Sequence, residues 1–496
     1  MSNIFNNVAP ASPGRSKFDL SYEKKLTCDM AELIPILHDE MYPGDTFQIG
    51  NEIVVRFQPM LAPILHEVNV YVHYFFVPYR LLWDDFEDFY TGGPDGDFTA
   101  PIPEWQPTDT TIGSLWDYIG FPTDTDPAGA YPIDFPRSAY NLIYNEWYRD
   151  ETLIDEVALD NESILYRAWE KDFFTSALPW QQRGSTVALP VEVNSAPAVG
   201  GVSPSGTGVG LEGSTSLLQA GTNGVNNPEL IEALNKLQVA SFDVSELRTA
   251  FQIQKWQERN ARAGSRFTEF LRSHYKVSPT DARLDRPEYC GGSKSPVIIS
   301  EVLQTSASSS DVFESDTPQG NMAGHGITAN RTMAASYKAE EPGIMMGIMS
   351  VMPRSAYQQG IDRQWLRKSN LDFFFPEFVN LSEQAVEQAE IFTSDVEAEN
   401  RTLFGYQQRY GEMRVKKSLT CGMMRSSAPI SFDYWHLARD FASAPLLNQE
   451  FIECHPSKRI FAVQDTEDSL IINVANIITA TRPLPFIGEP GLIDHH

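Results

Sequence analysis

Cysteine is scarce in this 496-residue chain, and so are the motifs of familiar catalytic chemistry. Its four cysteines, Cys28, Cys290, Cys421 and Cys454, form no CxxC pair. A disulfide framework or a zinc site is therefore not expected, and we predict four reduced thiols. No P-loop motif and no GxSxG nucleophile elbow occurs, so neither a nucleotide hydrolase nor a serine hydrolase is indicated. No apolar run reaches about 18 residues, so no transmembrane helix is expected.

Positive charge is also in short supply. The chain has 38 Lys and Arg against 66 Asp and Glu, which gives a formal net charge of −28. Such a surface keeps a protein soluble and disfavours non-specific binding to nucleic acid by the whole molecule. The positions of the basic residues therefore say more than their number. The N-terminal segment lacks the apolar core of a signal peptide and is interpreted as an extended arm.

Strand patterns fall into two groups that are far apart in the sequence. The clearest is Glu67–Val77, where apolar and aromatic residues occupy both faces, so we expect a strand covered on both sides. Further strands are predicted at Met30–Leu37 and Thr46–Phe57, and late in the chain at Pro296–Leu303, Ile344–Met352 and Ser469–Ala480. The late strands are the candidate partners of Glu67–Val77. This arrangement favours a mainly β protein, an antiparallel sandwich or jelly roll with long loop and helical insertions.

The same patterns suggest a division of the chain into five parts. These are an extended N-terminal arm at 1–29, first jelly-roll strands at 30–90, insertions at 91–245, a basic helical segment at 246–290, and the remaining strands, loops and C-terminal arm at 291–496. Within the insertions, Val187–Pro228 contains no Lys or Arg and eight glycines. A segment of this composition buries little apolar area, so it is expected at a surface.

Several short patterns are weaker than they first look. Gly208-x-Gly210-x-x-Gly213 matches a dinucleotide fingerprint, but Ser and Pro flank it in place of a strand and a helix. His66-Glu67 is not continued to a full HExxH motif, because position 70 is Val70. The acidic group Asp84, Asp85, Glu87 and Asp88 is interpreted as the first turn of a helix, with cation binding as the alternative. No catalytic residues are predicted, and any metal ligands are unknown.

One segment concentrates positive charge. Between Arg248 and Arg286 there are nine Lys and Arg and four Asp and Glu, a local net of +5. Helical spacing places four of them within an arc of about 60°: Lys255, Arg259, Arg262 and Arg266. An apolar arc that includes Trp256 and Phe267 lies beside this basic stripe and is expected to anchor the helix, and Gly264 could break it. We weigh contact with DNA phosphates and pairing with neighbouring carboxylates equally. Further DNA-facing candidates are Arg15, Lys17, Arg414, Lys416 and Lys417.

The chain resembles the major capsid proteins of microviruses, small single-stranded DNA bacteriophages, and within them the gokushovirus branch. The blocks that carry the resemblance span nearly the whole chain. They are Phe18–Ser21 with Lys24-Lys25, Pro43–Asp45, Phe57–Pro63, His73–Trp83, Phe173–Gly184, Leu247–Arg283 and Gly488–Leu492. None of these blocks is a catalytic signature, which agrees with a structural role.

The resemblance implies an eight-stranded antiparallel jelly roll and a T=1 icosahedral shell of about sixty copies around circular single-stranded DNA. It also implies protrusions at the threefold axes, for which 187–240 is the candidate, and contact there with a host-surface receptor. The implied partners are a small basic DNA-binding protein, a pilot protein and an internal scaffolding protein during assembly. The implied location is the virion, assembled in the bacterial cytoplasm. No cofactor is expected, and a divalent cation such as calcium is left unassigned.

Two other functions fit parts of the sequence. An all-β carbohydrate-active enzyme, such as a glycosidase with a carboxylate pair, could draw on the 66 acidic residues. A glycan-binding module is the other alternative. Trp147 and Trp180 are candidate subunit-interface anchors, since interfaces favour aromatic residues, and packing within the chain is the equally weighted alternative.

Overall fold

Long antiparallel strands carry the fold of this protein. The structure is a computed structural model that describes residues 14–185, 187, 244–264, 266–303, 322–462 and 467–487. The described strands are β1 Ser16–Asp19, β2 Tyr22–Cys28, β3 Ile34–Met41, β4 Thr46–Phe57, β5 Val68–Pro78, β6 Glu288–Pro296, β7 Ile298–Leu303, β8 Met322–Lys338, β9 Gly343–Pro353, β10 Gln384–Glu387, β11 Leu403–Gln407 and β12 Leu470–Arg482.

Ten of these strands form one antiparallel sheet in the order β1-β12-β4-β8-β6-β5-β9-β3, with β2 also on β12 and β7 also on β8. The sheet curls on itself, because the Asn476 side chain of β12 donates a hydrogen bond of 2.9 Å to the Ile36 carbonyl of β3, at the far end of the order. The result is a half-barrel, which fits a jelly roll. The prediction of a mainly β fold with long insertions is thereby confirmed.

The interior of the half-barrel is a core of apolar side chains from both strand groups. Phe47 of β4, Val72 of β5, Met349 of β9 and Ile472 of β12 are all buried in it. Burying apolar area of this kind is the main favourable contribution to folding. The core therefore joins residues that are more than 400 positions apart in the sequence.

Strand β5 is covered on both faces, as its pattern predicts. Val70, Val72 and Tyr74 face the half-barrel core. Phe75 and Val77 face a second core on the outer side of the sheet. The outer face of β5 is covered by insertions that follow it in the sequence.

The described helices are short, apart from one of 20 residues. They are α1 Phe86–Thr91, α2 Leu115–Ile119, α3 Phe135–Ile143, α4 Val244–Ala263, α5 Phe267–Tyr275, α6 Glu397–Asn400 and α7 Gln449–Ile452. Helix α2 is capped at both ends, since the Ser114 side chain accepts from the Asp117 N–H and Gly120 ends the helix in the left-handed region. Helix α3 fixes the second core, where the Tyr140 hydroxyl donates to the Leu33 carbonyl at 2.9 Å. A π-helical turn, Tyr144–Tyr148, continues α3.

The expected partners of β5 are partly wrong. Strand β9 pairs with β5 along its length, as predicted from Ile344–Met352. Strand β12, predicted as Ser469–Ala480, instead pairs with β4, β1 and β2. Of Pro296–Leu303, Pro296 pairs with β5 at the end of β6, the Val297 N–H donates to the Val68 carbonyl of β5 at 2.9 Å, and Ile298–Leu303 forms β7 on β8. Strand order depends on contacts between distant segments, which the local pattern does not contain.

The chain separates into two compact units. One comprises 1–179 and 264–496, and the other comprises 180–263. The candidate protrusion at 187–240 lies outside the described residues except for Val187, and so do the glycine motif at 208–213 and Gly488–Leu492. Among the described helices, none is both long and apolar enough to cross a membrane.

Candidate nucleic-acid interface and assembly surface

The basic stripe lies mainly on α4. Lys255, Arg259 and Arg262 are exposed on this helix. At about 100° per residue, the buried residues Gln257 and Ala261 lie on the opposite side. Lys255 and Arg259 make no ion pair with any described residue. Their charges are therefore available to a ligand.

The buried side of α4 is polar, which differs from the sequence prediction. The Gln182 side chain donates to Oε1 of Gln257 at 3.1 Å, and the Arg183 N–H donates to the Gln257 carbonyl at 3.4 Å. Trp256 and Phe267, expected to anchor the helix, are half-exposed or more. Hydrogen bonds and a small alanine therefore hold the buried side of α4, and neither Trp256 nor Phe267 is buried.

Arg266 does not belong to the exposed stripe. Gly264 has a φ of 100°, a conformation that favours glycine. Helix α4 therefore ends at Ala263, before the chain reaches Arg266. The Arg266 guanidinium pairs with Glu151 at 2.7 Å and donates to the Arg149 carbonyl at 3.0 Å. Its geometry matches the ion-pairing alternative, whereas Lys255, Arg259 and Arg262 keep the exposure that phosphate contact requires.

The other basic candidates occupy two separate places. Arg15 and Lys17 are exposed at the start of β1, where Lys17 pairs in register with Thr481. Arg414 and Lys416 are exposed next to the side chains of Gln408 and Gln364.

Lys417 has a different environment. Its ammonium group pairs with Asp362 at 3.1 Å, donates to the Glu390 carbonyl at 2.7 Å and lies 5.2 Å from the centre of the Phe174 ring. Burial lowers the pKa of Lys417. Lys417 therefore stabilises the fold locally and presents little charge to a ligand.

The two candidate interface tryptophans also differ in their contacts within the chain. The Trp147 indole N–H donates to the Pro287 carbonyl at 3.0 Å, and the Arg286 guanidinium lies 4.6 Å from its ring centre. Trp147 thus packs within the chain. Trp180 is partly exposed, with the Arg183 guanidinium 5.9 Å from its ring centre.

A surface that sequence reasoning missed lies between Ile361 and Leu381. It consists of short 3₁₀ turns that expose large apolar side chains, and we call it the assembly patch. Its exposed members are Ile361, Trp365, Leu371, Phe373, Phe374, Phe375 and Leu381. Apolar patches of this kind are unusual on monomeric proteins and mark interaction sites. The run of three phenylalanines was the available signal, since no strand or helix period explains it.

Acidic residues give no metal centre in the described part of the chain. Glu87 and Asp88 lie in the first turn of α1, where the helix dipole favours negative charge. No group of three or more His, Cys, Asp or Glu side chains among the described residues could hold a metal ion. A divalent cation such as calcium stays unassigned.

Comparison with known proteins decides the family. The model of the family described as capsid protein (F protein) matches residues 6–492 of this chain. This chain belongs to that capsid protein family. It is 33% identical to capsid protein VP1 of Chlamydia phage 1, with 99% of this chain and 98% of the relative covered. It is 34% identical to VP1 of Bdellovibrio phage phiMH2K, with coverage of 98% and 97%.

A third relative of this capsid protein, VP1 of Spiroplasma virus 4, is 28% identical over 96% of this chain and 95% of its own length. All three relatives are gokushovirus capsid proteins, so the resemblance is confirmed. This protein is a structural major capsid protein and a virion component, and it assembles with copies of itself. It is not an enzyme, and nothing supports the carbohydrate-active alternative.

Proposed function

We propose that this capsid protein forms a T=1 shell of about sixty copies around circular single-stranded DNA. The observation that carries the DNA part is the exposed basic stripe on α4 in a chain of net charge −28. A shell of such chains repels a polyanion on average, so local positive groups must hold the strand. Lys255, Arg259 and Arg262 supply such a group.

The assembly patch supports the subunit contacts of this shell. Trp365 and the three consecutive phenylalanines leave apolar area in water that a neighbouring copy would cover. Aromatic residues are also enriched in protein interfaces. We assign this patch to contact between copies.

Further partners complete the proposed assembly. A small basic DNA-binding protein would neutralise part of the genome charge that this acidic chain cannot. A pilot protein and an internal scaffolding protein act during assembly in the bacterial cytoplasm. The segment at 187–240 forms surface protrusions that contact a host receptor. No cofactor is assigned to the shell.

The double variant Arg259→Ala/Arg262→Ala tests the DNA role. We expect it to lower the DNA content per particle or the yield of full particles, because two phosphate contacts per chain are lost. Gradient sedimentation separates full from empty shells, and the absorbance ratio at 260 and 280 nm gives their nucleic-acid content.

The matched control is Arg401→Ala/Arg425→Ala, which removes the same charge from two exposed arginines outside the basic segment. Its particles should keep wild-type DNA content. Normal filling of the Arg259→Ala/Arg262→Ala particles at every salt concentration would remove the proposed role of the stripe.

A further inference from the structure

A cavity of about 480 Å³ opens beside the outer face of β5. All of its walls belong to the larger unit. Its size lies within the range of small-ligand sites. Most of its lining is aromatic: His73, Phe75, Trp147, Tyr148, Trp169 and Tyr289. We call this cavity the aromatic pocket.

The rings of the aromatic pocket form a continuous set. Phe75 and Trp147 have ring centres 5.5 Å apart, and Trp147 and Tyr289 are 5.7 Å apart with an angle of 38° between their planes. Tyr289 is 45% exposed, whereas Phe75 is buried. The mouth of the pocket thus offers a tyrosine ring whose position is fixed by rings behind it. A flat aromatic ligand can stack on such a platform at little entropic cost to the protein.

The pocket also holds a cation with no carboxylate partner. The Arg167 guanidinium lies 4.3 Å from the Tyr71 ring centre and donates to the Ser350 hydroxyl at 3.0 Å. No ion pair joins Arg167 to another residue in the described part of the chain. At the rim, Lys171 pairs with Asp150, and Lys294 lies 3.7 Å from Glu170. The charge left unbalanced at this site is therefore positive.

His73 adds no compensating charge. Burial lowers its pKa to about 4, and its Nδ1 lies 2.8 Å from the Tyr148 hydroxyl. The imidazole is therefore neutral near pH 7 and acts as a further flat ring. A larger cavity of about 880 Å³ is different, because its four carboxylates outnumber its two arginines, Arg439 and Arg459. The carboxylates are Asp433, Asp440, Glu450 and Glu453, and their excess disfavours a phosphate.

The pocket is structurally linked to the basic segment. The turn that carries Trp147 and Tyr148 also supplies the Asn145 and Arg149 carbonyls that hold Arg266, directly before α5. Exposed Arg272 and Lys276 follow on or just after α5. The aromatic pocket and Arg266 thus share one turn of the chain.

We propose that the aromatic pocket binds one unpaired base of the enclosed strand, stacked on Tyr289, with the adjoining phosphate on Arg167. This inference rests on the proposed enclosure of single-stranded DNA. Stacked aromatic rings beside positive charge are the usual way in which proteins hold single strands without reading their sequence. An apolar ligand would not use the guanidinium, and an acidic ligand without a ring would not use the platform.

The test measures binding of short oligomers to the unassembled full-length chain. The probes are an oligothymidylate of about ten nucleotides and an abasic oligomer of equal length and charge. The wild type should bind the oligothymidylate about tenfold more tightly, as measured by quenching of tryptophan fluorescence. Tyr289→Leu should abolish this preference, and Tyr289→Phe should keep it, because only phenylalanine preserves the ring face.

Tyr90→Leu is the matched control, since Tyr90 is an exposed tyrosine outside the pocket, and it should keep the wild-type preference. Arg167→Gln should weaken binding of both oligomers severalfold. Equal affinity of the wild type for the two oligomers would overturn the proposal, as would an unchanged preference in Tyr289→Leu. So would a loss of empty-shell assembly in Tyr289→Leu, which would assign the pocket to a subunit contact.

The same data separate this proposal from the enclosure of DNA itself. The Arg259→Ala/Arg262→Ala variant should weaken binding of both oligomers, because it removes phosphate contacts alone. If the unassembled Tyr289→Leu chain keeps the base preference and its particles fill normally, the pocket role fails and the enclosure of DNA stands. If wild-type particles contain no DNA, the proposed function fails.

Discussion

At the scale of single residues, His38 on β3 carries a charge state set by its surroundings. Burial, followed by the nearby Lys24 ammonium, lowers the pKa of His38 to about 4. Asp39, the next residue, responds in the opposite direction, since burial raises its pKa to about 6. In the sequence of β3, His38, Asp39 and Glu40 follow four apolar residues directly. The sequence does not tell how deeply the folded chain buries them, so neither shift could be predicted from it.

This environment makes the stability of the fold depend on pH. Between about pH 4 and 6.5 the unfolded chain protonates His38 and the native chain does not. Stability from this group is present above pH 6.5 and is lost as the pH falls towards 4. We expect His38→Gln to reduce the loss of unfolding free energy between about pH 6.5 and 4 by up to about 3 kcal/mol. Urea unfolding at a series of pH values measures it.

His455→Gln is the comparison for this pH effect, because His455 is an exposed histidine that pairs with Glu453 at the surface. Its unfolding curves should depart from those of the wild type far less than those of His38→Gln, because an exposed ion pair contributes only about 0–1 kcal/mol. Since Asp39 remains in both variants, its opposite contribution cancels in the comparison. A slope in His38→Gln equal to that of the wild type would contradict the assignment.

At the scale of elements, the sequence predicted strands well and their neighbours poorly. Thr46–Phe57 is found with the predicted bounds. The sequence predicts an extended arm where β1 and β2 lie, because SKFD and YEKKLTC lack apolar alternation. They are strands because β12 offers them an edge, which only the folded chain provides. The basic stripe shows the same limit, since its helical spacing was predictable and the pairing of Arg266 with Glu151 was not.

Strand β12 allows a direct test of sheet packing. Ile472 is 2% exposed in the half-barrel core, and its neighbour Ile471 is 46% exposed on the other face. Ile472→Ala should destabilise the protein by about 2–4 kcal/mol, because it leaves a cavity in the core. Ile471→Ala removes the same atoms from a half-exposed position and should cost clearly less. Denaturant midpoints of the two variants decide the matter, and similar values would show that β12 is not packed as described.

At the scale of the whole molecule, two surface properties act against each other. A net charge of −28 keeps separate chains apart. The assembly patch draws them together through apolar area. Assembly then depends on a directional contact that outweighs a diffuse repulsion, and salt shortens the range of that repulsion.

A substitution of Trp365 tests whether the apolar contact of the assembly patch outweighs the repulsion between negatively charged chains. It is 75% exposed, so Trp365→Asp leaves the fold intact and places a charge in the proposed contact. We expect the variant to remain a folded, unassembled chain, because burial of an unpaired carboxylate in an interface is costly. Sedimentation velocity distinguishes shells from free chains. Ile112→Asp is the control, as Ile112 is 77% exposed outside the assembly patch, and shells of normal yield from Trp365→Asp would exclude this patch from assembly.

The position of β12 in the sheet also determines when the sheet can be completed during synthesis. β12 lies between β4 on one side and β1 and β2 on the other, so the earliest strands of the chain pair with the last described strand. Translation proceeds from the N-terminus, so β1, β2 and that edge of β4 have no partner until residue 482 has left the ribosome. A chain still being translated cannot close its half-barrel. We expect chains that end before β12 to leave β1, β2 and one edge of β4 unpaired, and therefore not to join a shell.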